Sequence, residues 1–348
     1  MLVVRLCGDA VPRSWGRWGR PLSDDSHRIW AFPLPAMMDL ADLVEALVLE
    51  TPAELRSTCL AVWIDPDFDG RLPLSVLDEL EPLTVLHARL HEPWIMGPLG
   101  HLVKTSFQPI VTLAGQGGLV GYQMPCHLEH PERGSLSGAS FYALARDARR
   151  LEEVDQACQI SALLRKSESL PAGVPAFVSA LPQSLMWGDL RRHPSYTCLD
   201  RLGLDPGDIV IEVVQRGQVD DVPALVRRCQ DLRAMGFRIA LADIGAGLGQ
   251  VGLLSGLEPE FIRFETGLIR EAQSTRAGAT LLEGLVAMAR RLGASSIADG
   301  LDGPEELQIC REIGIDCGQG NLVAPVSPVP LAPAPLPEDG TSRFRIRR

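Results

Sequence analysis

Ile209-Val-Ile-Glu-Val-Val214, the helix-period stretch from Asp221 to Met235, and Ile239-Ala-Leu-Ala-Asp-Ile244 followed by Gly245-Ala-Gly247 decide the fold. A short β-branched run, a longer stretch with apolar residues at three-to-four spacing and a second short run read as strand, helix and strand. The same rhythm extends outward in both directions. Short apolar runs occur at Phe107 to Leu113, Leu119 to Leu128, Ala176 to Leu181, Phe261 to Phe264, Ser296 to Ala298 and Cys317 to Val323. Helix-period segments include Phe141 to Leu163, Gly278 to Leu292 and Pro304 to Ile313. Repeated alternation predicts a parallel sheet covered by helices and, at this number of strands, a closed TIM-like (β/α) barrel over residues 99–324. In such a barrel the C-terminal ends of the strands face the active site, so those positions carry the functional question.

Pro93, Gly97, Pro98 and Gly100 separate the barrel from an N-terminal block, residues 1–98. Met38 to Leu49 and Leu74 to His91 carry amphipathic helix spacing, and Leu60-Ala-Val-Trp-Ile64 reads as a short strand or a buried helix turn. The first 30 or so residues, with Arg13, Arg17 and Arg20 among glycines, read as irregular. This block is expected to be a small, mostly helical domain. Residues 325–348 are proline-rich and end Arg343-Phe-Arg-Ile-Arg-Arg348. Dense proline removes backbone donors and disfavours helix, so this tail is expected to be extended or disordered, and solvated.

The formal net charge of −11 excludes a surface that coats nucleic acid or an anionic membrane, though a local pocket for one small anion stays open. No stretch of about 18 apolar residues is present to span a bilayer. The apolar start is too short for a signal peptide, and the cytoplasm is the expected compartment. Eight cysteines without a CxxC pair read as free thiols in a reducing compartment.

The strand ends carry an ordered set of landmarks: Phe107-Gln-Pro-Ile-Val111, Gly121-Tyr122, His130-Pro131 with Gly134, Ile211-Glu212, Ala242-Asp243-Ile244-Gly245-Ala246-Gly247, Phe261-Ile-Arg-Phe-Glu265, Ala298-Asp299-Gly300-Leu301-Asp302 and Gln319-Gly320. In this order and spacing the chain resembles the EAL family of cyclic di-GMP phosphodiesterases, and the barrel is expected to be of that type. The resemblance implies hydrolysis of a phosphodiester by two divalent cations clamped by carboxylates. The cations would lower the pKa of water towards about 7 and neutralise developing charge.

Against that pattern the chain is depleted. The glutamate of the signature tripeptide corresponds to Gln123, the metal-binding asparagine to Ser179, and the Asp-Asp pair to Ala242-Asp243. Glu212, Asp243 and Asp299 remain as residual metal positions, while Gln215 and Glu265 replace a glutamate and an aspartate. The family's catalytic lysine corresponds to Arg263, which stays protonated at any working pH and cannot act as a base. The phosphate-holding arginine corresponds to His127, and Gln319 matches a residue near substrate. Gln108, Gln123, His127, Arg263 and Gln319 are therefore the expected ligand-binding positions, and no catalytic residue is assigned.

The expected function is a non-catalytic nucleotide sensor or protein-interaction scaffold in cyclic di-GMP signalling, with no cofactor. The alternative is a weakly active phosphodiesterase with one weakly bound Mg²⁺ or Mn²⁺ among Glu212, Asp243 and Asp299. Expected partners are cyclic di-GMP, a protein and a second copy of the chain, with no nucleic acid and no membrane.

Three further motifs have plainer readings. Asp65-Pro-Asp-Phe-Asp-Gly70 begins like an EF-hand loop but has Val76 at the twelfth position, where a bidentate glutamate belongs. Gly245-Ala-Gly247-Leu-Gly249 fits a phosphate cradle and a tight turn alike. His130 reads as a loop residue, and Trp63 and Trp94 as packing.

Overall fold

The computed structural model describes residues 1–6, 12–22, 29–35, 38–56, 58–64, 79–186, 188–189, 193–214, 221–244 and 256–337. Gln215, Asp65 to Gly70 with Val76, Gly245 to Gly249 and the basic end Arg343 to Arg348 lie outside them. The chain forms two compact units, Met1–Leu99 with Ala139–Leu151, and Gly100–Gly138 with Glu152–Arg348.

Among the described residues the first unit pairs its helices with an antiparallel sheet that the expected mostly helical domain did not include. Strands β1 (Leu2–Arg5), β2 (Arg20–Pro21), β3 (Ile29–Phe32), β4 (Leu60–Trp63) and β5 (Glu81–Pro82) form one sheet in the order β2-β3-β1-β4-β5. Every pairing is antiparallel, and Leu2 sits between Phe32 and Trp63. One face of the sheet places Leu2, Val4, Phe32 and Ala61 in a core with Leu43, Val44, Leu47, Leu83 and Leu86 from two helices. Trp15 is fully buried there, edge-on to Phe32 at 5.2 Å and to Trp30 at 6.0 Å. Strands of four residues whose partners lie far along the chain leave little periodicity to read.

The helix expected over 38–49 is Leu40–Glu50, with the Asp39 carboxylate accepting from the Asp42 N–H at 2.8 Å. Of the helix expected from Leu74 to His91, residues 74–78 lie outside the described residues; the part present is Leu83–His91, preceded by Glu81-Pro82, which pairs with β4.

The second unit is a closed eight-stranded barrel. After β6 (Val103–Thr105), its strands are β7 (Gln108–Thr112) and β8 (Leu119–Gln123); β9 (Cys126–His130) and β10 (Gly134–Leu136) then stand outside it. The barrel continues with β11 (Ala176–Ala180), β12 (Ile209–Val214), β13 (Arg238–Ile244), β14 (Phe261–Phe264), β15 (Ser295–Ala298) and β16 (Cys317–Gly318). The order around it is β11-β12-β13-β14-β15-β16-β7-β8. All pairings are parallel except those of β7, which runs antiparallel to both neighbours.

The run expected as one strand from Leu119 to Leu128 is two. Met124-Pro125 breaks it, since Pro125 has no N–H for a ladder, and β9 joins a separate sheet ordered β10-β9-β6. Likewise the segment Phe141 to Leu163 divides into helices Gly138–Asp147 and Leu151–Ser169, with Arg149 at a φ of 53° between them.

Alternation along each strand sorts the barrel. Ile209, Ile211 and Val213 face the helix layer, whereas Val210 joins Ile110, Phe177, Ala240, Ile297 and Cys317 inside the barrel. The next inward position along β12 is Glu212, so the residues expected to matter lie above an apolar floor.

The proline-rich tail is extended as expected, and through Pro337 it is docked on the barrel by hydrogen bonds while most of its side chains, Val326 and Val329 among them, stay exposed. Phe107 and Ser327 exchange both backbone hydrogen bonds, at 2.7 and 3.0 Å. The Tyr122 hydroxyl donates to the Leu331 carbonyl at 3.0 Å, and Arg311 Nη1 donates to the Pro337 carbonyl at 2.8 Å. Leu336 is 3% exposed, with its N–H on the Gln116 carbonyl at 3.0 Å. Proline removes donors but keeps carbonyl acceptors, and the barrel's side chains use them.

Candidate functional site

Strand alternation brings Glu212 of β12 and Arg263 of β14 to the same interior level, each nearly fully buried. Arg263 Nε donates to Glu212 Oε1 at 2.5 Å, a charge-assisted bond inside the barrel. The guanidinium carbon lies 5.9 Å from the centre of the Phe177 ring, over the apolar floor. Arg263 Nη1 and Nη2 are buried and have no hydrogen-bond partner among the described residues.

Amide side chains extend the network. Gln123, at the end of β8, directs its Nε2 at Glu212 Oε2, 3.4 Å away. Gln319, just after β16, directs its Nε2 at Gln123 Oε1 (2.6 Å), Asp299 Oδ1 (3.0 Å) and Gln108 Oε1 (3.4 Å). An amide nitrogen has two hydrogens, so the two shorter contacts are its bonds and Gln108 is the outer neighbour. Gln108 in turn donates from Nε2 to the Ala324 carbonyl at 3.2 Å. Six sequence-selected residues, Gln108, Gln123, Glu212, Arg263, Asp299 and Gln319, thus form one connected polar layer.

The rim is different. Asp243 has a φ of 58°, in the left-handed region that a non-glycine residue rarely adopts, where the β13–β14 register shifts between Leu241 and Ile244. Burial, and then the charge of Asp243, push the Glu265 carboxyl above its ordinary value. These two carboxylates therefore act on each other as like charges. Ser179 is the register partner of Glu212 on β11. His127 stands on β9, opposite Lys104, with Nε2 3.5 Å from Glu129 Oε1. Among the described residues no hydrogen bond places His127 in the polar layer; after Pro125, β9 stands outside the barrel.

The donors do not fit a pair of divalent cations. Both oxygens of Glu212 are engaged, one by a guanidinium and one by an amide. At about 4 Å and an effective dielectric of about 20, a guanidinium repels a divalent ion by on the order of 8 kcal/mol. Gln123 is a neutral amide and offers no charge attraction to set against this. Among the described residues, no three of His, Cys, Asp and Glu are grouped so as to hold a metal ion.

Two participants were not read from the sequence. Phe177 lies beneath Arg263 and the Ala324 carbonyl receives Gln108. The first is an inward position of β11 and could have been found by alternation; a backbone carbonyl leaves no sequence signal.

The sequence profile of the EAL domain family matches residues 100–326. The bifunctional diguanylate cyclase/cyclic di-GMP phosphodiesterase MucR of Pseudomonas aeruginosa is 25% identical over 224 residues, covering 62% of this chain and 32% of MucR. The cyclic di-GMP phosphodiesterase RocR of the same organism is 24% identical over 220 residues, covering 63% of this chain and 56% of RocR. The chain thus matches less than two thirds of the length of these relatives. Among solved structures, the PaMucR phosphodiesterase in complex with c-di-GMP superposes with a TM-score of 0.60 at 21% identity, over 70% of this chain and 97% of that one. The Xanthomonas citri FimX EAL domain in complex with c-di-GMP gives 0.58 at 20% identity, over 70% and 92%. At these identities the superpositions establish the fold alone.

Proposed function

The chain belongs to the EAL domain family, and from that premise we propose that its barrel binds cyclic di-GMP without hydrolysing it, as a sensor module in cyclic di-GMP signalling. The observation that carries this reading is the buried Glu212–Arg263 ion pair, with Gln123 on the second carboxylate oxygen. A protonated guanidinium stands where the family's chemistry needs a lysine, and a neutral amide where it needs an anionic ligand. The lost groups are those that hold and activate water. Gln108, Gln123 and Gln319 offer amide donors and acceptors at the barrel mouth, and the solved PaMucR and FimX structures hold c-di-GMP.

The test is calorimetric titration with cyclic di-GMP, with and without Mg²⁺, beside a hydrolysis assay with Mn²⁺ on the same preparation. Binding heat that Mg²⁺ leaves unchanged, with no linear product, is the expected result. Linear product at a rate abolished by Asp243→Ala would establish the weakly active phosphodiesterase instead. If neither heat nor turnover appears, the barrel is a protein-interaction scaffold, and the partner or the homodimer becomes its function.

No helix among the described residues is long and apolar enough to cross a membrane. The cytoplasm is the compartment we assign to this function.

A further inference from the structure

We propose that Cys126 and Cys158 form a reversible disulfide switch, a modification site whose co-substrate is a small hydroperoxide. Cys126 opens β9, three residues past Gln123, and Cys158 lies on helix Leu151–Ser169. Cys126 Sγ lies 3.6 Å from the Cys158 carbonyl oxygen, and the Cys158 side chain is close enough to lower the pKa of the Cys126 thiol. The Thr105 hydroxyl is 3.3 Å from the same sulfur and is itself held by Ser161 at 2.8 Å. A half-buried cysteine and a buried one are therefore neighbours beside a polar nest, although 32 residues separate them in sequence.

The other thiols give the contrast. Burial pushes Cys229, Cys310 and Cys317 up to about 12 and raises Cys198 as well, so these stay protonated and inert. Cys126 moves the other way, because the effect of the Cys158 side chain outweighs burial and Thr105 adds to it, against an opposing effect of Asp155. A thiolate is the nucleophile towards peroxide, and a neighbouring thiol is what resolves the product.

The step balances as follows. The Cys126 thiolate attacks one oxygen of hydrogen peroxide; the O–O bond breaks, and the departing hydroxide takes a proton and leaves as water. The Cys158 sulfur then attacks the Cys126 sulfenic acid, forming the S–S bond, and its proton leaves with the displaced hydroxide as a second water. Two electrons pass from the two sulfurs to the peroxide, and a dithiol reductant reverses the change. The bond ties the strand that follows Gln123 to a barrel helix.

The experiment treats the full native chain with hydrogen peroxide, alkylates the remaining thiols under denaturing conditions, and maps peptides without reduction. The expected result is a mass lower by two hydrogens, one linked pair joining the peptides of Cys126 and Cys158, and six of the eight cysteines still alkylated. Dithiothreitol restores the last two. In Cys158→Ser a sulfenic acid persists at Cys126 and reacts with dimedone, whereas Cys126→Ser gives neither adduct nor link. The proposal is overturned if the wild-type link joins other cysteines, if Cys126 is driven to sulfinic acid with Cys158 still free, or if both thiols survive excess peroxide. The wild-type map decides the matter even if a variant fails to fold.

Discussion

Replacing Arg263 with methionine leaves Glu212 buried beside an apolar chain. Glu212 is fully buried, and its remaining polar neighbour in the network is the Gln123 amide at 3.4 Å. Removing one partner of a buried pair costs roughly 3–5 kcal/mol, because the other charge stays out of water. For a domain of this size about 1 kcal/mol corresponds to roughly 2–4 °C, so the barrel transition is expected to fall by about 6–20 °C. Glu212→Gln in the Arg263→Met background removes the stranded charge, and the double variant recovers at least about 2 kcal/mol relative to the sum of the singles.

The assay is urea and thermal unfolding followed by far-ultraviolet circular dichroism and by tryptophan fluorescence. Five of the six tryptophans, Trp15, Trp18, Trp30, Trp63 and Trp94, belong to the first unit. Fluorescence therefore reports mainly on that unit, and a shift seen mostly in the circular dichroism belongs to the barrel. An Arg263→Met variant within about 1 kcal/mol of wild type, with no coupling in the double variant, would refute a desolvated ion pair as the organiser of this site.

Gln123→Glu sets a second carboxylate against Glu212, and is expected to lower the melting temperature in chelator and to recover on adding Mn²⁺, whereas wild type responds to neither. Glu265 is raised above its ordinary 4.5 when folded, so its contribution to stability is present at low pH and is lost as pH rises through the folded value; Glu265→Gln should match wild type at acidic pH and exceed it at neutral pH, read by melting across pH. Leu336→Ala opens a cavity under the docked tail and is expected to cost roughly 2–5 kcal/mol in urea unfolding. Gly300 has a φ of 77° and a Cβ there would collide with the Thr266 side chain; Gly300→Ala should lose at least about 1 kcal/mol by the same measurement.

The barrel was legible because its strands are buried on both faces and so read as β-branched runs, as in Ile209 to Val214. Strand direction was not legible, and β7 runs opposite to its neighbours without any change in its hydrophobic pattern. The sheet of the first unit escaped because Leu2 finds its partners at Phe32 and Trp63, beyond any local window. The tail's docking escaped for a different reason. Its anchors are carbonyls of Leu331 and Pro337, which any residue type would supply. In the site, position at a strand end was enough to select Gln123, Glu212, Arg263, Asp299 and Gln319, because alternation and register then bring them to one level. His127 stands apart from that level, on the sheet that follows Pro125.

These outcomes have a common electrostatic origin. A barrel mouth lined with inward carboxylates is stable only if something cancels their mutual repulsion, and in two-metal chemistry the cations do so. Here the Arg263 guanidinium meets Glu212, and Gln319 meets Asp299 through an amide hydrogen while tying it to Gln123. The replacement is fixed in the fold and cannot dissociate, so the polar layer holds its geometry without a bound ion. At the rim, burial and the charge of Asp243 raise Glu265.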